Sequence, residues 1–132
     1  MNRDKTEKKL RKLFSEFQYH EKILDEINEL VVKKGRSREF VMLLEKNIKF
    51  VKTLGNDVTK TSNFEKLRNC KDLYSMKFKS KDMNLRILFS YDSRTSTILL
   101  HCFYEKQDSG VDSYSKHIPI ALRRKSEMEA KK

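Results

Sequence analysis

Residues that build disulfide frameworks, linkers and membrane spans are scarce in this chain, which has two cysteines, one proline and three glycines. Cys70 and Cys102 share no CxxC spacing and no surrounding cluster of histidines, so neither a zinc site nor a disulfide framework is expected, and no metal or other cofactor. Two such thiols suit a reducing compartment, and a cytoplasmic location is the expectation. So little Gly and Pro leaves no low-complexity linker, and no segment recurs at a solenoid period. Residues 1–20 are charged throughout and contain no apolar signal core. No run approaches the roughly 18 apolar residues that a span requires, so neither export nor a membrane partner is expected.

Positive charge, by contrast, is abundant. Thirty Lys and Arg against nineteen Asp and Glu give a formal charge of +11 and a pI near 9.7. That balance points to a polyanionic partner; a charge excess also aids solubility, but it binds nucleic acid nonspecifically in any case. A length of 132 residues suits one domain spanning 1–132, because two separate cores would each fall near the size at which burial just offsets chain entropy.

Residues 1–12 read as a charged lead-in. Residues 13–19 read two ways: Leu10, Leu13, Phe14 and Phe17 fit a helical face, whereas Phe17 and Tyr19 alternate as in a short strand. From 20 to 34, Ile23, Leu24, Ile27, Leu30 and Val31 recur at helical spacing. Gly35 suits a left-handed C-terminal cap, and Ser37 offers an N-cap oxygen to a second helix reaching about Leu54, with Phe40, Val41, Leu44, Ile48 and Val51 as its buried stripe. Gly55 ends it. The short connection predicts an antiparallel helical hairpin.

After a polar stretch the period changes to 2. Tyr74, Met76 and Phe78 share one face of a strand, with Ser75, Lys77 and Lys79 on the other. Leu85, Ile87, Phe89 and Tyr91 then oppose Arg86, Leu88 and Ser90. A turn at 92–95 leads into an apolar run over 97–104, which completes a three-stranded antiparallel meander. A loop over 107–112 precedes a final helix over 113–132. Pro119 implies a regular start near 115–118 or a kink, and residues 127–132 are expected to fray. The fold class is therefore α+β: an N-terminal helical hairpin on a small antiparallel sheet with a C-terminal helix. Leu44, Ile48, Phe78, Ile87, Phe89 and Leu100 are expected in one core between hairpin and sheet.

Four segments carry a resemblance: Phe64-Glu65-Lys66-Leu67-Arg68-Asn69, Leu73-Tyr74-Ser75-Met76-Lys77-Phe78-Lys79-Ser80, Leu85-Arg86-Ile87-Leu88-Phe89-Ser90-Tyr91, and Ile98-Leu99-Leu100-His101-Cys102-Phe103-Tyr104-Glu105-Lys106. With Ile118, Ala121, Leu122, Arg123 and Arg124 near the end, this ordered series resembles the RelE/ParE/HigB toxin superfamily, and within it the phage-derived, HigB-like branch. Residues 64–125 carry the likeness; the helices before them match by position and length. The resemblance implies a RelE-like fold with a strand before the hairpin, near 14–18. It also implies the toxin of a type II toxin–antitoxin system, acting as a ribosome-dependent mRNA endonuclease. The implied partners are mRNA, the ribosome and an antitoxin with a helix-turn-helix domain. An acidic or amphipathic segment of that antitoxin would cover the basic sheet face or wedge against residues 20–54.

Metal-independent RNA cleavage needs a base for the 2′-hydroxyl, cations for the phosphate and an acid for the leaving oxygen. On residue pattern alone, Lys77 and Lys79 read as a solvated strand face. The resemblance assigns Lys77, Arg86, Lys106 and Tyr114 to catalysis; RNA binding is expected at Lys79, Lys81, Arg123 and Arg124, and at His117, whose place near the start of the last helix brings it within reach of a bound phosphate. A crowded cationic face could lower the pKa of a lysine enough for it to act as base, and an always-charged Arg86 suits the phosphate. Lys77 and Arg86 are expected outside the core. His101 reads as a packed, hydrogen-bonded core histidine pointing with Leu99 and Phe103, and His20 has no assigned role. No catalytic pair of histidines is evident. Glu105 stands where relatives carry a basic residue, which weakens the local positive charge. Two rival readings remain: a ParE-like gyrase inhibitor without nuclease chemistry, and a plain RNA-binding module.

Overall fold

The computed structural model describes residues 2–68, 70, 72–91, 97–105 and 111–131. The expected turn at 92–95, Lys106 and most of the loop at 107–112 lie outside them. The charged lead-in is in fact a helix, α1 (Arg3–Leu13), capped by the Asn2 side chain, which accepts from Lys5 N at 2.8 Å. Its charged residues face solvent while Thr6 and Leu10 are buried one turn apart. Both readings of 13–19 hold in part: the helix ends at Leu13, and β1 is only Gln18–Tyr19.

α2 (Lys22–Ile27) runs on as a single π turn, Asn28–Val32, and Gly35 follows at φ +70°. α3 (Ser37–Leu54) buries Phe40, Val41, Leu44, Ile48 and Val51, and stops at Gly55, where φ is +53°. Ser37 is not a cap: it is the first helical residue, buried, and its hydroxyl accepts from Thr6 Oγ1 at 3.2 Å. The expected hairpin is not displayed as such. α2 lies on one strand and α3 on another, and α1 packs against both α3 and the π turn.

A 3-10 turn (Gly55–Lys60) leads to β2 (Phe64–Lys66), too short to announce itself by alternation. β3 (Tyr74–Ser80), β4 (Met83–Tyr91) and β5 (Thr97–Tyr104) form the expected antiparallel series, widened by β2 and by a parallel β1 to the order β1-β5-β4-β3-β2. α4 (Val111–Ala130) starts earlier than expected and passes through Pro119. It also continues beyond Glu127, where fraying was expected; the Glu127 carboxylate meets His20 Nε2 at 3.1 Å.

The sheet is covered on both faces. Helices α1 to α3 bury one core, in which Phe40 stacks on Phe78 at 4.6 Å alongside Leu44, Ile48, Ile87 and Phe89. α4 covers the other face over Leu73, Leu88, Ile98, Leu100, Phe103 and Ala121. Leu100 thus belongs to the second core, not the first. The cause is a bulge: β4 pairs Leu88 with His101 but Phe89 with Leu99, leaving Leu100 as the extra residue. A bulge resets strand parity. His101 therefore shares a face with Phe103, as expected, but not with Leu99, which lies in the first core.

Candidate functional site

Cross-strand pairing fixes a row on the α4 face of the sheet. Lys77 of β3 stands opposite Arg86 of β4, and Arg86 opposite Phe103 of β5. Above the row, α4 supplies Tyr114 and, one turn later, His117. Arg86 Nε donates to the Tyr114 hydroxyl at 3.1 Å, and Ser75 Oγ lies 3.0 Å from that same oxygen. The phenol in turn donates to Glu65 at 3.3 Å. Burial, opposed by the Ser75 hydrogen bond and the Arg86 charge, raises the Tyr114 pKa, so Tyr114 is a proton-bearing phenol at neutral pH.

Arg86 is not a surface residue, contrary to expectation; it is 6% exposed. Its guanidinium forms an ion pair with Glu105 and donates through Nη1 to Asn84 Oδ1 at 2.9 Å and to Leu85 O at 3.0 Å. With Tyr114 added, four of its five N–H groups are engaged. Glu105, which breaks the basic pattern of the resembled family, is thus the counter-ion of Arg86. Such an arginine orients the tyrosine more than it grips a phosphate. Lys77 is half-buried on the same face, and Lys79 and Lys81 are exposed toward the β3–β4 turn, so cationic side chains extend from the row to open solvent. Arg123 is exposed on α4, apart from the row.

At the other end of the site, sequence reasoning missed Glu26. β1 ends at Tyr19, so among the described residues the edge of β5 has no partner strand beyond Leu99. Side chains satisfy it instead: Arg124 Nη1 donates to Leu100 O at 3.0 Å, and Cys102 N donates to Glu26 Oε1 at 3.0 Å. Arg124, expected to bind RNA, is buried and also donates to Glu26 at 2.9 Å. Glu26 Oε2 lies 2.6 Å from His101 Nδ1, and His101 Nε2 lies 2.7 Å from His117 Nδ1. Burial works to raise the Glu26 pKa, but hydrogen bonds from His101, Arg124 and Cys102 outweigh it and hold the carboxyl below its usual range. Burial chiefly, with repulsion from His101, pushes His117 down to about 4.

Phe103 joins the two ends. It stacks on His117 at 4.0 Å and meets Tyr114 edge-on at 5.5 Å. A cleft of about 500 Å³ opens beside His117, walled by Leu30, Phe103 and the half-exposed Tyr104. The structure thus brings Lys77, Arg86, Tyr114 and His117 together and leaves Lys79, Lys81 and Arg123 outside the row. Among the described residues, no group of three or more His, Cys, Asp or Glu is placed to hold a metal ion. Among them, too, no helix is long and apolar enough to cross a membrane.

A basic α+β protein with a phenol, a guanidinium, an ammonium and two linked imidazoles along one sheet face has the chemistry of a site for phosphate esters. The chain belongs to the phage-derived Gp49-like family (DUF891), whose pattern matches residues 25–126, over three quarters of its length. This is a toxin-like family of the RelE/HigB type in general, and it implies a partner antitoxin in general. The match covers every residue of the row and begins inside α2, just before Glu26. Against curated proteins the chain has no match.

Proposed function

We propose that this chain is the toxin of a type II toxin–antitoxin pair, of the HigB-like branch, acting in the cytoplasm as a ribosome-dependent mRNA endonuclease that needs no metal. The observation that carries the reading is the Tyr114 hydroxyl held 3.1 Å from Arg86 Nε, with Lys77 directly across the strand pair. A phenol that keeps its proton can protonate the leaving 5′-oxygen, and Lys77 can stabilise charge developing on the phosphate. The phenolic proton is directed at Glu65, an exposed carboxylate whose place a substrate oxygen could take. The +11 charge favours an RNA-walled site. A helix-turn-helix antitoxin would neutralise the toxin through acidic or amphipathic contacts.

One observation favours a second reading, that of a ParE-like gyrase inhibitor: the proposed phosphate-binding Arg86 is buried and neutralised by Glu105. Purified protein added to programmed ribosomes decides between them. Cleavage of the bound mRNA supports the nuclease. Intact mRNA together with blocked supercoiling by gyrase replaces it with the second reading, and salt-sensitive RNA binding with neither effect leaves only a binding module.

A further inference from the structure

Two histidines in contact, one of them tied to a carboxylate, have no part in the Tyr114–Arg86 chemistry. Their geometry sets the direction of their hydrogens. The ionised Glu26 is acceptor-only, so at 2.6 Å the His101 Nδ1 carries the hydrogen. In the neutral ring, His101 Nε2 then accepts, and at 2.7 Å it takes the hydrogen of His117 Nδ1. That places the lone pair of the neutral His117 ring at Nε2. Arg124 Nη1 donates to Glu26 at 2.9 Å and lies 3.2 Å from His101 Nδ1, where the 2.6 Å contact with the carboxylate is the shorter and keeps the Nδ1 hydrogen on Glu26.

We propose that His117 is the proton acceptor of this site, taking the proton of an RNA 2′-hydroxyl at Nε2, and that His101 and Glu26 are its positioning residues. The inference rests on the nuclease reading and adds the base that Tyr114 and Lys77 leave unassigned. The proton balance is simple. The 2′-oxygen gives its proton to His117 Nε2 and attacks phosphorus; His117 Nδ1 passes its hydrogen to His101 Nε2. The positive charge then rests on His101 beside Glu26, while the phenolic hydrogen of Tyr114 goes to the leaving 5′-oxygen.

The placement of acid and base agrees with this. Tyr114 and His117 are one turn apart on α4, about 5–6 Å between Cβ atoms, a separation that one phosphodiester can bridge. Both rings rest on Phe103. The cleft beside His117 leaves room for a nucleotide, and its acidic residues are already paired: Asp25 with Arg3 at 3.4 Å, Glu29 with Lys33 at 2.6 Å, and Glu26 as above. Besides these, the titratable groups near His117 among the described residues include His101, Cys102 and Tyr104 from β5, and Tyr114 and Lys116 on its own helix. Burial lowers His117 to about 4, so its lone pair is free across the physiological range.

The test is single-turnover mRNA cleavage on programmed ribosomes across pH, with parent, His117→Ala and Glu26→Gln proteins checked for folding by melting. His117→Ala should cut about 100- to 10,000-fold more slowly, and added imidazole should restore part of the rate. Glu26→Gln should cut more slowly and move the acid limb of the profile to lower pH, because the carboxylate no longer stabilises the protonated pair. In the parent, ring nitrogen NMR at neutral pH should show His117 carrying its hydrogen at Nδ1, with Nε2 bare. A parent that cuts, with a His117→Ala variant that keeps its rate and profile, removes this role alone. A His117 ring with its hydrogen at Nε2 also overturns it. A parent that cuts nothing removes the nuclease reading and this role together.

Discussion

Replacing Arg86 by alanine should unfold this protein more readily than any exchange of an exposed cation. The guanidinium and the Glu105 carboxylate are 7% and 14% exposed, so both have been taken out of water and depend on each other for compensation. Removing the arginine leaves Glu105 buried without its counter-charge and strips donors from Asn84 Oδ1, Leu85 O and the Tyr114 hydroxyl. Breaking a buried pair from one side typically costs about 3–5 kcal/mol. Against a total stability on the order of 5–15 kcal/mol, that is a large fraction. Urea unfolding followed by circular dichroism should show the midpoint of Arg86→Ala falling steeply at unchanged slope. The double variant Arg86→Met with Glu105→Leu should recover much of the loss, since no charge is then left unpaired. A midpoint for Arg86→Ala within error of the parent would refute the buried-pair argument and return Arg86 to the surface.

Lys77→Ala should behave in the opposite way, changing stability by less than about 1 kcal/mol while slowing mRNA cleavage about 100-fold, measured on the same ribosomes. Leu44→Ala and Leu100→Ala should each cost about 2–5 kcal/mol; as they empty different cores on opposite sheet faces, their urea-derived costs should add. Stability should also fall with acid in two stages. His117, held neutral down to about 4 in the fold, binds its proton near 6.5 when unfolded, so stability declines between those values. Glu26, depressed in the fold, then loses its contribution as pH drops below the unfolded carboxyl range. Melting temperatures from pH 7 to 3.5 should follow this course, and His117→Ala should flatten the upper stage.

What could be read from the sequence was local, and what could not was set by long-range pairing. The alternation of Tyr74, Met76 and Phe78 against Ser75 and Lys77 is a property of five consecutive residues, and the strand with its two faces follows from it. The stripe of α3 is equally self-contained. Glu105, by contrast, reads as a weakening of positive charge until β4 and β5 are aligned. Only the alignment places it beside Asn84, whose carbonyl accepts from Glu105 N at 2.9 Å, and against Arg86. Glu26 looks like one more solvated acid among Asp25 and Glu29. What singles it out is that β1 is two residues long, so the edge of β5 needs a carboxylate there. The facing of Leu100, and of His101 relative to Leu99, escapes strand parity, because the bulge in β5 is defined only by its pairing with β4. The helical start of the chain carries little signal beyond Leu10: its other buried residue, Thr6 four positions earlier, is polar and shows its burial only in the fold.

α4 shows why the site and the fold cannot be separated in this protein. Tyr114, His117, Ala121 and Arg124 recur at three- and four-residue intervals, the spacing of a helix face turned to the sheet. In an ordinary amphipathic helix those positions are apolar; here only Ala121 is, and it is fully buried. The other three contact polar groups on the sheet and α2: Arg86 and Ser75 for Tyr114, His101 for His117, and Glu26 for Arg124. A small Ala121 lets the helix backbone approach closely enough for these short hydrogen bonds to form on either side of it. The stripe is thus helical in period but polar in composition, which hides it from any reading that follows hydrophobicity alone. The same contacts that dock the helix hold the phenol and the imidazoles in position, so the groups proposed to react owe their orientation to the packing of α4.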